Sequence, residues 1–231
     1  MSFEALAALA ARSGGILYIM PVLLLIALTV AIERFLVLAR VQREGARVTH
    51  QVAQLGHLDL VTLGGLGQKT GAPFKAMLEV PVRFPRVRDS SRLSDLLEEV
   101  VMRQVPTLDR SLWLLDTVVT LAPLLGLLGT IIGMFHAFQF MGNAAGDTVQ
   151  ITGSVGEALI ATACGLVIAV IGLVAFNGLQ NRVRYLVHQM ETLRTMLVNR
   201  LEAFEHHGTQ RAPQAAAPTH SPAPVYAAQE R

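Results

Sequence analysis

The sequence predicts an all-α integral membrane protein with three transmembrane helices and long cytoplasmic helical extensions, and three observations support this. The 231 residues are 52% hydrophobic and only 16% charged. Their mean hydropathy is +0.46, which is too apolar for an ordinary soluble domain. Three runs contain no Lys, Arg, Asp or Glu, namely residues 13–32, 117–146 and 158–181. Because a helix needs about 20 apolar residues to cross a bilayer, each run is long enough to span one.

The spans and their connections follow from these runs and from the Gly and Pro residues between them. Residues 39–110 read as a helical segment, first as short amphipathic pieces and then, from Ser90, as one long helix that enters the second span with Pro106 as a candidate kink. Residues 180–207 predict a further helix, and the Ala/Pro-rich residues 208–231 a disordered tail. The predicted transmembrane helices are residues 14–38, 111–139 and 153–179.

The distribution of basic residues predicts the orientation. Residues 34–110 hold twelve Lys or Arg and residues 182–231 hold six, whereas residues 140–152 hold none. The positive-inside rule places both basic segments in the cytoplasm, with residues 1–13 and the short loop 140–152 in the periplasm. The isoelectric point near 9.0 therefore reflects topology in an inner membrane, and it indicates contact with anionic lipids and not with nucleic acid.

The first span is predicted to be retained and not cleaved as a signal peptide. Its flank carries Glu4 before the single cation Arg12, and the run ends at Glu33 without a small-residue cleavage site. Cys164 is the only cysteine, so it predicts a small buried filler and no disulfide or metal site. His206 and His207 make only a weak metal pair. The chain predicts no metal and no cofactor.

Small residues recur at three- and four-residue spacing in the second and third spans. Such stripes let helices approach closely, either for packing alone or to enclose a passage. Thr130 and Thr162 lie at similar depth, each less than about 10 Å outward of the middle of its span. A membrane threonine either bonds back to its own helix or holds water in a narrow passage. The residues predicted to pack helices are Gly126, Gly129, Gly133, Ala158 and Gly165.

Ionisable residues lie only towards the ends of these spans. Ser154 and Glu157 match a capping box, and His136 lies near the outer end of the second span, as an interfacial histidine or in a titrating pair with Glu157. Asp116 lies near the inner end, either at a pore mouth or simply reaching towards the headgroups. No carboxylate lies at the depth of the threonines, so protons crossing there need a titrating group from a partner.

Two segments carry a resemblance. LAPLLGLLGTIIGMFHAF and, after a short loop, GSVGEALIATACGLVIAVIGLVAFN resemble the MotA/TolQ/ExbB proton-channel family, most closely its ExbB and TolQ members. The resemblance is strong over residues 110–182. It implies a pentamer whose second and third helices line a central pore, and it implies no enzyme. Relatives often carry a proline near the position of Ile171, where this chain has glycine at the next residue.

The resemblance also implies the partners and the pore residues. An ExbD- or TolR-like single-span protein with a membrane aspartate would occupy the pore, and a TonB- or TolA-like protein would receive the energy. The pore positions of the family fall on Thr130, Thr162 and Glu157. The predicted function is a proton-channel subunit that energises TonB-dependent outer-membrane import. A TolQ-like subunit of the Tol-Pal system, a MotA-type stator and a membrane scaffold are the alternatives.

Overall fold

The computed structural model describes residues 16–56, 58–141 and 148–210, with side chains described for 18–56, 58–139, 141 and 151–202. The predicted N-terminal segment 1–13 and the tail beyond residue 210 lie outside these ranges. Within them the regular structure is helical, which confirms the all-α prediction. The helices are α1 (Ile16–Gln54), α2 (Leu60–Lys69), α3 (Phe74–Arg83), α4 (Ser90–Leu108), α5 (Leu112–Met141) and α6 (Thr148–Gln210).

Three of these helices are long and apolar enough to cross a membrane, as the uncharged runs predict. They are α1, α5 and α6. At 1.5 Å per residue, α1 is about 58 Å long and α6 about 95 Å long. Both exceed the roughly 30 Å hydrocarbon core of a bilayer, so each carries a membrane-spanning part and a part that projects beyond it. The predicted third span and the predicted helix after it form one continuous helix, α6.

The helix predicted to run from Ser90 into the second span is interrupted, so that prediction is wrong. α4 ends at Leu108 and α5 begins at Leu112, and between them Ser111 has a φ of 71°. A residue in this left-handed region cannot continue a right-handed helix. Arg34 of α1 is 8% exposed, and its Nη2 donates a hydrogen bond of 3.0 Å to the Ser111 Oγ. A contact from another helix thus stabilises the break.

The connection between α5 and α6 is shorter than residues 140–152. α5 continues to Met141, and α6 is already helical at Thr148. Ser154 and Glu157 consequently lie inside α6. The capping-box interpretation is wrong, because a capping residue must precede the first helical turn.

The part of the protein beyond the spans has a core of large apolar side chains. The projecting part of α6 supplies one wall of it, with buried residues at helical spacing, and α1, α2, α3 and α4 supply the rest. Gly45 of α1 is needed here because a Cβ atom at this position would overlap the ring of Phe74. The largest fully buried residues of this core are Leu63, Phe74, Met77, Leu78, Leu93, Leu97, Leu186, Met190, Leu193 and Leu197.

A cluster of polar side chains links α4 to α6. The Arg194 guanidinium donates to the Ser94 Oγ at 2.9 Å and to Glu98 at 2.8 Å, and on its own helix to Glu191 at 3.3 Å. The Arg194 side chain is 22% exposed and both carboxylates are more than 40% exposed. The cluster therefore lies at the edge of the apolar core and joins α4 to α6 by hydrogen bonds and an ion pair.

Candidate functional site

The two backbones of α5 and α6 touch where the small residues face each other. A Cβ atom on Gly126 would lie 3.0 Å from the Thr162 Cα and 3.1 Å from the Ala161 oxygen. A Cβ atom on Gly165 would lie 2.5 Å from the Ala122 oxygen and 3.2 Å from the Gly126 Cα. A Cβ on Gly165 would not fit and one on Gly126 would be tight, so the contact depends on glycine at both.

The close approach continues towards both ends of the helix pair. A Cβ atom on Gly133 would lie 2.6 Å from the Ala158 Cβ, and one on Gly172 would lie 2.8 Å from the Val119 Cγ2. Gly129 is also buried. The small-residue stripes of the two spans thus pack against each other within one chain, and the remaining faces of α5 and α6 are left for other contacts.

The two threonines form different hydrogen bonds. The Thr162 hydroxyl donates across the helix pair to the Gly126 carbonyl oxygen at 2.9 Å, whereas the Thr130 hydroxyl donates to Leu127 of its own helix at 2.6 Å. A hydroxyl has one hydrogen to donate and two lone pairs that accept. While these bonds hold, both threonine oxygens act only as acceptors towards a further group.

The ionisable candidates lie at the two ends of the helix pair. Glu157 is half-buried and immediately precedes Ala158, and it lies about 8 Å from Thr162 along the helix axis. His136 is half-buried on α5, one turn beyond Gly133, which packs on Ala158. Glu157 and His136 therefore lie within about 3 Å of each other along the helix axes, near the outer end of the predicted spans.

Asp116 lies far from the other candidates. It is exposed on α5, about 21 Å from Thr130 along the axis. Next to it are two exposed hydroxyls that were not predicted from the sequence. Thr117 donates to the Trp113 carbonyl oxygen at 2.8 Å, and Thr120 donates to the carbonyl oxygens of Thr117 at 2.9 Å and Asp116 at 3.1 Å, so neither bonds to the Asp116 carboxylate. Their signal is the DTVVT segment, which places the acid and a hydroxyl four residues apart on one helix face.

Apolar side chains cover the outward faces of both helices. Large exposed residues on α5 and α6 include Leu124, Leu127, Ile131, Phe135, Leu159, Val167, Val170 and Val174. Contiguous apolar surface of this kind requires lipid or protein against it. The fold and the site together define a helical membrane protein in which α5 and α6 pack closely. Threonine hydroxyls lie in the apolar part of this helix pair, and ionisable side chains lie at its two ends.

The family is identified by comparison with known proteins. The model of the MotA/TolQ/ExbB proton channel family matches residues 70–192, which is more than half of the chain and contains α5 and most of α6. The chain belongs to this family. It is thus a proton-channel type of membrane protein from a transport family and not from an enzyme family, as the two motifs predict.

Individual relatives carry names from two systems. A putative biopolymer transport protein, ExbB-like 1, of Synechocystis sp. is 29% identical over 179 residues, covering 72% of this chain and 67% of the relative. Tol-Pal system protein TolQ of Haemophilus influenzae is 39% identical over 82 residues, 35% of this chain and 36% of the relative. Biopolymer transport protein ExbB of Xanthomonas campestris pv. campestris is 40% identical over 82 residues, 35% of this chain and 32% of the relative.

Proposed function

We propose that this chain is the proton-channel subunit of an inner-membrane complex that uses the proton-motive force to energise TonB-dependent outer-membrane import. Five copies would surround a pore lined by α5 and α6, with the N-terminus in the periplasm and the C-terminus in the cytoplasm. A single-span ExbD- or TolR-like partner with a membrane aspartate would enter this pore. A TonB- or TolA-like protein would then receive the energy.

The hydrogen bonds of the two threonines carry the proposal. The sequence has no Asp, Glu, His, Lys or Arg in residues 117–135 or 158–181, so the threonine hydroxyls at this depth are polar without titrating. Because Thr130 and Thr162 each donate to a backbone carbonyl, their oxygens accept a hydrogen bond from a protonated carboxyl but offer no hydrogen to an ionised one. At the depth of the two threonines, the partner's aspartate is thus stabilised in its protonated form.

The remaining candidates take supporting roles at the two mouths. Glu157 and His136 would lie at the periplasmic mouth, where a carboxylate attracts cations. Asp116 with Thr117 and Thr120 would lie at the cytoplasmic mouth. None of them spans the distance between the mouths, so each delivers or releases protons and the partner carries them across.

The TolQ-like role is the second candidate, and the Haemophilus relative favours it. TolQ of Haemophilus and ExbB of Xanthomonas each align over 35% of the chain, at 39% and 40% identity, and do not separate the two roles. The ExbB-like role stands first because an ExbB-like relative of Synechocystis aligns over 72% of the chain. Deleting the gene separates the two. Loss of energy-dependent uptake through outer-membrane receptors supports the first, and detergent sensitivity with intact uptake supports the second.

Proton flux into liposomes tests the channel itself. The purified chain alone should pass few protons, and adding an ExbD-like partner should raise the flux at least tenfold, as followed by a pH-sensitive dye in the lumen. A partner with asparagine in place of its membrane aspartate is the matched control and should give no increase. Strong flux from the chain alone, or undiminished flux with the asparagine partner, would contradict the proposal. A scaffold would show no flux with any partner.

A further inference from the structure

A groove lies between α1 and α6, apart from the contact of α6 with α5. The groove has a volume of about 450 Å³ and is lined mainly by apolar side chains, including Ile32 and Phe35 of α1 and Val174 of α6. These three are 52%, 49% and 70% exposed. Gly178 forms part of the floor, and Arg182 lies at one end. The groove is therefore apolar along its length and cationic at one end.

The Arg182 guanidinium is held in position but its charge is not neutralised. Its central carbon lies 4.0 Å from the centroid of the Phe35 ring, and its Nη1 donates to the Gln42 Oε1 at 3.3 Å. Among the side chains that the structure describes, Arg182 forms no salt bridge. A guanidinium fixed by an aromatic ring and an amide keeps further N–H groups for an anion.

The groove lies at the boundary between the apolar and polar parts of α6. Arg182 is the first charged residue after the uncharged run 158–181, and Val174 lies about 12 Å further into the apolar part. The basic residues beyond this boundary place it at the cytoplasmic leaflet. The cation is thus at headgroup depth, and the apolar groove extends to the depth of the acyl chains.

We propose that this groove binds one anionic phospholipid of the inner leaflet. Its phosphate would accept hydrogen bonds from Arg182, since a guanidinium matches the geometry of phosphate oxygens. One acyl chain would lie between α1 and α6 across Gly178. The lipid would neutralise the fixed cation and fill the gap between the two helices. This site is separate from the threonines and does not depend on the proton partner.

Lipid retention by the purified full-length complex tests the charge. The chain is extracted in mild detergent from membranes containing phosphatidylglycerol, and retained lipid is quantified by mass spectrometry. Arg182→Gln should lower retained phosphatidylglycerol at least fivefold, and Arg182→Lys, which keeps the charge, should keep at least half. Arg184→Gln is the matched control, because Arg184 is exposed on α6 outside the groove. Retention at the wild-type level by Arg182→Gln overturns the proposal.

Filling the groove tests the acyl-chain position independently. A Cβ atom on Gly178 meets nothing within 4 Å, so Gly178→Leu places a side chain in the groove without a clash at its Cβ. Retained phosphatidylglycerol should fall at least fivefold while size-exclusion chromatography shows the wild-type assembly. If Arg182→Gln yields no protein, this variant decides alone. Loss of the assembly in Gly178→Leu, with no lipid retained by the wild type, would mean that a second copy covers the groove and would overturn the proposal.

Discussion

The candidate membrane spans of this protein and the part that projects beyond them hold their helices together by different interactions. Within the spans, α5 and α6 meet through glycine backbones and one hydroxyl, the bond from Thr162 to Gly126. Beyond the spans, α6 meets its neighbours through fully buried side chains such as Leu97 and Met190 and through the Arg194 cluster. The same helix thus changes its mode of packing along its length.

The difference follows from the solvent. In lipid, an apolar side chain gains little by leaving the surroundings, so helices associate through close van der Waals contact and hydrogen bonds. In water, burying one Leu or Met side chain contributes about 1.5–3 kcal/mol. Small residues therefore stabilise the α5–α6 pair within the spans, and large residues stabilise the core beyond the spans. A larger side chain should therefore disrupt the α5–α6 pair, and a smaller side chain should destabilise the core beyond the spans.

The largest effect on folding is expected for Gly165→Leu in the α5–α6 pair. A Cβ atom there would lie 2.5 Å from a backbone oxygen, so the helices must separate and the Thr162 bond is lost with them. We expect no folded chain in detergent by size-exclusion chromatography and circular dichroism. Gly153→Leu, on the same helix where a Cβ meets nothing within 4 Å, is the control. Normal folding of Gly165→Leu would show that backbone contact does not hold the pair.

In the core beyond the spans, the opposite change of size should be destabilising. Leu97→Ala removes a fully buried side chain and leaves a cavity, so we expect a loss of about 2–5 kcal/mol in the free energy of unfolding. Met102→Ala on the same helix, where the side chain is 64% exposed, should cost less than about 0.5 kcal/mol. Denaturant titration of the two variants measures the difference. Equal costs would contradict the assignment of this core.

A smaller effect is expected for Arg194→Met, which keeps an apolar stem but removes the bonds to Ser94 and Glu98. We expect a loss of about 1–2 kcal/mol in the free energy of unfolding, because charged hydrogen bonds at the edge of a core are partly shielded by water. The loss should shrink in high salt. Arg103→Met breaks the exposed pair with Glu99 and should cost less than about 0.5 kcal/mol. A larger cost for Arg103→Met would reverse the ranking.

The smallest effect on stability, with a large effect on function, is expected for Thr162→Val. Loss of one interhelical hydrogen bond in a membrane costs about 1 kcal/mol, so the assembly should persist in detergent. The proton flux with the partner should fall at least tenfold. Thr29→Val, which removes a hydroxyl that donates only to its own helix at Leu25, should keep the wild-type flux. Normal flux in Thr162→Val would leave this residue with a packing role only.

The all-α class, the three candidate spans and the family can all be read from the residues in order along the chain. An uncharged run of about 20 residues predicts by itself a segment that lies in lipid, and a segment in lipid must be helical to satisfy its backbone hydrogen bonds. The GLLGT and GEALIATA segments likewise identify the family from adjacent residues. These features need no knowledge of which helix meets which, because each depends on neighbours within a few turns.

The tertiary structure decided what depends on residues far apart in the chain. The helical pattern continues through Ser111, and the break there is stabilised by Arg34, 77 residues earlier. Both threonines fit the same pattern, yet Thr162 bonds across to the other span and Thr130 bonds to its own helix. The glycine at position 126 lets the backbone of Thr162 come close enough for the bond between the helices. Arg182 gains its fixed position from Phe35 in another helix. Periodicity reports which side of a helix is apolar or small, but the partner of that side is set by the packing of distant segments.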